Sequence, residues 1–308
     1  MPEKIFDRTL VIRGGALGDF LLTLPAIKAL REASAHLSVL AYPQVAELAR
    51  AAGLADSVRS IEYGPLAGFF ARGAVHDREL RQYFSSFDPV VSYLYDPDGI
   101  FGENMRAAGV KRFIAGTHKP AAKAHAIDQL AEPLAALVLS PHERAVELRL
   151  PGAATRPWLL AIHPGSGSSA KNWPAENWKT LVRQLLAEHP QLRIALIGGE
   201  ADRAVMGALA ELRKDECVDF WENLPLCSLA TNLATAQAYI GHDTGVSHLA
   251  AVLGVPSLLL FGPTNPAVWA PPHHHVRVLR APGGDLSQLN PSTVLSAAAK
   301  HPVSALLA

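Results

Sequence analysis

Two series of short β-rich runs, each run followed by a helical stretch, leave few folds open to this chain. The runs fall at 9–13, 37–41, 58–61, 89–94 and 112–115 in the first half, and at 158–162, 193–197, 238–241, 257–261 and 276–279 in the second. Helices are expected at 20–32, 45–52, 176–188 and 202–213. Strands that alternate with helices are joined by crossovers, so they pair in parallel and are covered on both faces. An α/β architecture with one Rossmann-like sheet in each half is therefore expected. The chain has 308 residues, about twice an ordinary domain. Between the two series lies Pro151-Gly152-Ala153-Ala154-Thr155-Arg156-Pro157, whose composition is that of a linker. The expected domains are 1–152 and 153–308. The apolar tail 291–308, interrupted at Pro302, is free to pack back on either domain, the first included.

Apolar residues make up 49% of the chain, enough for two cores. The 28 basic and 28 acidic side chains cancel, which argues against a nucleic acid held by phosphate neutralisation. Cys217 and Cys227 are too few for a disulfide framework or a four-cysteine zinc site, and fit a reducing cytoplasm. The first residues, M-P-E-K-I-F-D-R, carry charges where a signal peptide has an apolar core, and no apolar run is long enough to cross a bilayer. A soluble protein is expected, still able to meet a membrane surface.

Three strand-to-helix turns carry residues suited to chemistry. The most informative is D-T-G-V-S-H-L, Asp243 to Leu249. It places Thr244, Gly245 and Val246 at a helix N-terminus, where N–H groups lack intrahelical acceptors and the dipole favours an anion. Gly245 permits close approach, and His248 lies on the first turn. An ordinary capped turn with a packed histidine would read similarly. The second turn, H-P-G-S-G-S-S-A-K-N-W-P from His163 to Pro174, offers Ser166, Gly167, Ser168 and Ser169 as donors and Lys171 as a point charge for phosphate. Its spacing is not that of a Walker loop. Pro174 is expected in the first turn of the next helix, and Trp173 and Trp178 in the core. The third turn ends in Gly198-Gly199-Glu200, where a carboxylate can accept from a sugar diol or simply complement the helix dipole.

In the first half, Gly14-Gly15-Ala16-Leu17-Gly18-Asp19 lacks the dinucleotide spacing, and no acid ends the next strand, which disfavours a nicotinamide cofactor. Asp19 is placed to take a proton from a hydroxyl or to cap the following helix. The basic run His118, Lys119, Lys123 and His125 reads as a solvated helix face or a contact for an anionic acceptor. His273-His274-His275 has no metal-ligand spacing and reads as a loop entering a strand.

With these residues in view, the chain resembles glycosyltransferase family 9, the ADP-heptose:lipopolysaccharide heptosyltransferases. The resemblance rests on I-R-G-G-A-L-G-D-F-L-L-T-L-P-A (Ile12 to Ala26), the His163–Pro174 turn, G-H-D-T-G-V-S-H-L-A-A (Gly241 to Ala251) and F-G-P-T-N-P (Phe261 to Pro266), in the family's order. It implies a GT-B fold, two Rossmann-like domains with parallel sheets facing a central cleft, the first for acceptor and the second for nucleotide-sugar. It implies an inverting transfer without metal, moving a heptose or related sugar from an ADP-sugar donor to a lipopolysaccharide-core or related glycan. No cofactor is implied, since the donor, ADP-heptose, is a substrate. By the same resemblance Asp19 corresponds to the base, and Ser166, Lys171, Glu200, Cys227, Asp243, Thr244, Gly245 and His248 fall in the donor site; the basic run, not the resemblance, makes Lys119, Lys123 and His125 candidates for the acceptor. Partners are then the donor and a glycan or glycolipid at the cytoplasmic face of the inner membrane, with no nucleic acid. The sequence leaves oligomeric state open. A sugar-nucleotide epimerase of the same fold, or a non-catalytic sugar-nucleotide-binding protein, would share the anion site.

Overall fold

The computed structural model describes residues 4–73, 77–150, 154–168 and 171–300. The chain divides into two compact units, Met1–Val146 and Glu147–Ala308. The division falls just before the linker expected at 151–157, of which 151–153 lie outside the described residues. Leu148 N–H already bonds Val252 O in the second unit at 2.6 Å, so the chain has joined that unit before the proline-rich stretch begins.

The first unit runs β1 (Phe6–Arg13), α1 (Leu17–Ala33), β2 (Ser34–Ala41), α2 (Pro43–Ala51), β3 (Ser57–Ser60), α3 (Arg78–Ser85), β4 (Val90–Ser92), α4 (Ile100–Ala107), β5 (Phe113–Ala115) and α5 (Ala126–Ala131). Its five strands are parallel in the order β3-β2-β1-β4-β5. Central β1 carries Leu10, Val11 and Ile12 with no solvent exposure, as a strand covered on both faces requires. Phe69, Phe84, Phe87, Phe101 and Met105 close one face of the sheet. Helix α1 starts at Leu17, three residues before the expected start, because Asp19 bonds back to Ala16 N–H and closes the first turn early. It passes directly into β2 at Ser34, whose hydroxyl donates to Leu30 O at 2.6 Å.

The second unit runs β6 (Leu159–His163), α6 (Ala175–Glu188), β7 (Arg193–Gly198), α7 (Arg203–Ala208), β8 (Val218–Glu222), α8 (Leu226–Leu233), β9 (Ala238–His242), α9 (Gly245–Val252), β10 (Ser257–Phe261), α10 (Pro266–Trp269), β11 (Val276–Arg280) and α11 (Pro291–Ala299). Its six parallel strands lie in the order β11-β10-β9-β6-β7-β8. That is the doubly wound Rossmann order, with the reversal between β6 and β9. In the first unit the equivalent reversal lies between β1 and β4.

Several expectations are corrected. The helix expected at 202–213 is broken into a 3-10 turn at Glu200–Asp202, the short α7 and a second 3-10 turn at Ala210–Lys214. Gly207 weakens its centre. Strand β8 and helix α8 were not expected; β8 mixes charge and aromatics at a half-buried sheet edge. Pro174 is the N-cap of α6 and lies just before its first turn. The tail begins as α11, which packs against α6 and buries Val294 and Ala298 in the second unit's core. Residues 301–308, with Pro302, lie outside the described residues. Among the described residues, no helix is long and apolar enough to cross a membrane.

Candidate functional site

The carboxyl ends of β6 and β9 meet where the second sheet reverses, with His163 in register with Gly241. Open α/β sheets hold ligands at such a point, because the two following loops diverge to opposite faces and leave a crevice. Here the loop after β6 delivers Lys171 and the turn after β9 delivers Asp243, Thr244 and Gly245. Lys171 Nζ donates to Asp243 Oδ2 at 2.9 Å. The lysine is 31% exposed and the aspartate 10%, so the ammonium remains open to an anion while its stem is anchored. Thr244 is the N-cap of α9, and its hydroxyl accepts from Ser247 N–H at 3.4 Å. The helix geometry leaves the N–H groups of Gly245 and Val246 without intrahelical acceptors.

His242 explains how the lysine loop is held. Its Nδ1 donates to Gly165 O at 3.2 Å and its Nε2 accepts from Trp173 N–H at 2.9 Å, so one buried ring ties both ends of the loop to β9. Burial pushes its pKa down to about 4, which keeps it neutral. Trp173 and Trp178 pack edge to face at 4.8 Å beside it, as expected of core residues. Behind Thr244 lies a second buried pair. His163 Nδ1 is 3.2 Å from Thr244 Oγ1, and its Nε2 is 3.1 Å from Asp202 Oδ2. Burial works against the charge of Asp202, but the hydrogen bond and charge of His163 and the N–H of Gly199 outweigh it and hold the carboxyl below its ordinary value.

The remaining donor-side candidates are placed as follows. Glu200 is exposed at the end of β7 and lines a cavity of about 200 Å³ with Gly198, Gly199, Arg203, Met206 and Asn223. Cys227 stands in the first turn of α8, half-buried, and is not among that cavity's lining residues. Ser166 is buried, and its hydroxyl lies 2.6 Å from both Ser168 O and Asn172 Oδ1, so it braces its own loop. Ser169 lies outside the described residues. His248 is buried in the first turns of α9. In the histidine run, His275 Nε2 donates to Ala251 O at 2.9 Å, which makes it a loop anchor. Among the described residues, no three His, Cys, Asp or Glu side chains are grouped to hold a metal ion.

In the first unit, the loop after β1 presents Asp19 beside the reversal between β1 and β4. Oδ2 accepts from Ala16 N–H at 3.0 Å, so the carboxylate does cap α1. Oδ1 lies 3.6 Å from Arg13 Nη2, and the aspartate is 37% exposed, so lone pairs remain for a ligand. Gly15 makes this possible: its φ is +95°, and a Cβ there would lie 2.7 Å from Asp19 Oδ2. Arg13 is 2% exposed and donates to Asp19 O, Tyr93 O and His118 O, tying the ends of β1 and β4 to the loop after β5. Burial pulls its pKa down, opposed by the charge of Asp19. The basic run is therefore a loop rather than a helix face. Lys119 and Lys123 are exposed on it, and His125 ends it as the N-cap of α5, its Nδ1 accepting from Ile127 N–H at 3.3 Å.

Arg13, His163 and Asp202 were missed as site residues. The first two lie inside motifs already singled out, and a charge or imidazole closing an apolar strand was their signal. Nothing in the sequence links Asp202 to His163, which is 39 residues away.

The sequence pattern of glycosyltransferase family 9 (heptosyltransferase) matches residues 108–295, more than half of the chain. Lipopolysaccharide heptosyltransferase 1 of Pseudomonas aeruginosa is 39% identical over 116 residues, 38% of this chain and 31% of that protein. The chain thus spans about a third of the length of the curated relatives it matches in sequence. The crystal structure of the glycosyl transferase family 9 from Veillonella parvula superposes with a TM-score of 0.77 at 18% identity, covering 98% of this chain and 97% of the other. E. coli heptosyltransferase WaaC with ADP superposes with a TM-score of 0.72 at 21% identity, covering 95% and 99%. The fold is of the GT-B type, and with its reversal-point motifs in place the chain belongs to glycosyltransferase family 9.

Proposed function

We propose that this protein is an inverting glycosyltransferase that moves a heptose or related sugar from an ADP-sugar to a lipopolysaccharide-core or related glycan, without a metal ion. The observation that carries the reading is the cluster of Lys171, Asp243, Thr244 and Gly245 at the reversal point of the second sheet. A cation and a helix N-terminus converge there, the two features that hold a diphosphate and stabilise it as a leaving group. The relatives support a heptose donor, and WaaC, of the same fold, binds ADP. Glu200, exposed at the end of the neighbouring strand, accepts from the ribose in this reading.

In this reading the second unit binds the donor and the first the acceptor. Asp19 takes the proton of the acceptor hydroxyl while the oxygen attacks the anomeric carbon from the face opposite the diphosphate. The C–O bond to the sugar forms as the bond to the β-phosphate breaks. The electron pair leaves on ADP, where Lys171 and the Gly245 and Val246 N–H groups take up the charge. Exposed Lys119 and Lys123 lie on the loop that Arg13 ties to Asp19, which suits an acceptor bearing anionic groups. The acceptor in this reading is a glycolipid, and the enzyme works at the cytoplasmic face of the inner membrane in peripheral contact with it.

The test is ADP release from ADP-heptose with and without a Kdo-bearing lipid A acceptor. Acceptor-dependent release supports transfer, and release of ADP that ignores the acceptor overturns it. Lys171→Ala is expected to raise KM and lower kcat together, because the ammonium meets the diphosphate before and during its departure.

A further inference from the structure

The buried pair Asp202–His163 has no part in the transfer just described, although it reaches Thr244 at the mouth of α9. His163 and Asp202 are 5% and 7% exposed. A carboxylate can only accept, so His163 Nε2 carries a hydrogen toward Asp202 Oδ2, 3.1 Å away. The same oxygen takes Gly199 N–H at 2.8 Å. Gly165 closes the space on the far side, since a Cβ there would lie 1.9 Å from Asp202 Oδ1. The carboxylate is thus wedged, and the ring it holds cannot flip without losing its partner.

The other ring nitrogen, Nδ1, is 3.2 Å from Thr244 Oγ1. That oxygen also takes Ser247 N–H, while the Ser247 hydroxyl donates to His242 O. Tyr239 OH lies 2.9 Å from Ser247 Oγ and closes the network from the core side. Without Nδ1, the Thr244 hydroxyl would be free to turn toward a bound anion and leave its cap.

We propose that Asp202 and His163 are positioning residues for the donor site: the carboxylate fixes the ring, and the ring pins the Thr244 oxygen. The N–H groups of Gly245 and Val246 then stay aimed at a nucleoside diphosphate. Conventional capping needs only the threonine; here a strand-end imidazole and a carboxylate from the next βα turn hold it. The inference rests on the reading of the second unit as the donor unit.

Two measurements on the full chain test it. The first is the ¹⁵N shifts of the His163 ring in the wild-type protein, expected to show Nε2 protonated; a ring protonated on Nδ1 with Nε2 bare overturns the proposal. The second is ADP affinity by calorimetry for His163→Gln, Thr244→Val and the double variant. Gln retains a donor for Asp202 but offers nothing to Thr244. Each single change is expected to weaken ADP about tenfold, one hydrogen bond near a charged ligand, and the double change no further, because one residue acts through the other. Thr244→Ser is expected to bind within about twofold of wild type. Multiplicative losses, or a lowered melting temperature with unchanged ADP affinity, overturn the relay while leaving the donor assignment standing. Wild-type protein that binds no ADP overturns the donor assignment itself, and the relay's role with it.

Discussion

Replacing Asp19 by Asn separates the two roles that its position allows. The amide oxygen can still accept from Ala16 N–H, now 3.0 Å from Oδ2, so the cap on α1 survives. The pairing with Arg13 at 3.6 Å is lost, but the aspartate is 37% exposed and the arginine keeps its carbonyl partners at Tyr93 and His118. A pair so screened contributes about 1 kcal/mol or less. The melting temperature is then expected to fall by no more than about 2–4 °C. Turnover behaves differently if the carboxylate is the base. Losing a general base costs roughly 10²–10⁴ in rate, about 3–5 kcal/mol of barrier. The assay is initial-rate ADP release beside differential scanning fluorimetry, with Asp19→Ala as the companion variant. Alanine removes the cap as well, about 1 kcal/mol more, without slowing turnover beyond the Asn variant. If Asn turns over at the wild-type rate while Ala alone melts early, Asp19 is a cap and the base lies elsewhere.

Transfer should persist in excess EDTA, since Lys171 and the α9 N-terminus are expected to carry the diphosphate alone; activity lost in chelator and restored by magnesium would remove that assignment. Gly165→Ala should destabilise the second unit by several kcal/mol, because its Cβ would fall 1.9 Å from the wedged Asp202 carboxylate, whereas Gly167→Ala, with nothing within 4 Å, should be nearly silent in chemical denaturation. His242 is held neutral with a pKa near 4 against an ordinary 6.5. Between those values the unfolded chain takes up a proton that the folded one refuses, so stability should fall as pH drops through this window, by up to about 1.4 kcal/mol per pH unit. His242→Gln should flatten that slope in urea titrations at pH 7, 6 and 5, and an unchanged slope would assign it to other groups.

The parallel sheets were legible because their strands repeat a period and a setting that physics reads directly. Apolar runs such as 257–261 cannot be anything but buried strands once glycine- and proline-rich turns bound them. The turns that carry Asp19, Lys171 and Thr244 were legible for the same reason: each ends a strand and opens a helix. What escaped was set by contacts across the sheet. Strand β8 runs Val218, Asp219, Phe220, Trp221 and Glu222 without a clean alternation, a pattern that its edge position beside β7 makes into a strand. The helix at 202–213 read as continuous from local propensity, while in the fold Asp202 turns inward to His163 and the helix starts after it. Tertiary demand overrode propensity at the residue that holds His163.

The same order of strands explains why both units place their polar side chains where they do. Each sheet reverses once, and at each reversal a strand ends in a buried basic residue: Arg13 on β1 and His163 on β6. A cation or imidazole at that depth is costly unless every donor is used, and both use theirs on neighbouring strand ends. Arg13 draws together carbonyls following β4 and β5, and His163 draws together the turns following β7 and β9. In each unit one buried polar residue therefore fixes the spacing of the loops around the crevice, beside a half-buried polar residue of the next turn, Asp19 or Thr244. The proposed division of donor and acceptor between the units needs only this arrangement repeated: apolar strands supply the rigid frame, a buried basic residue at the reversal sets the loops, and the next turn would supply the chemistry.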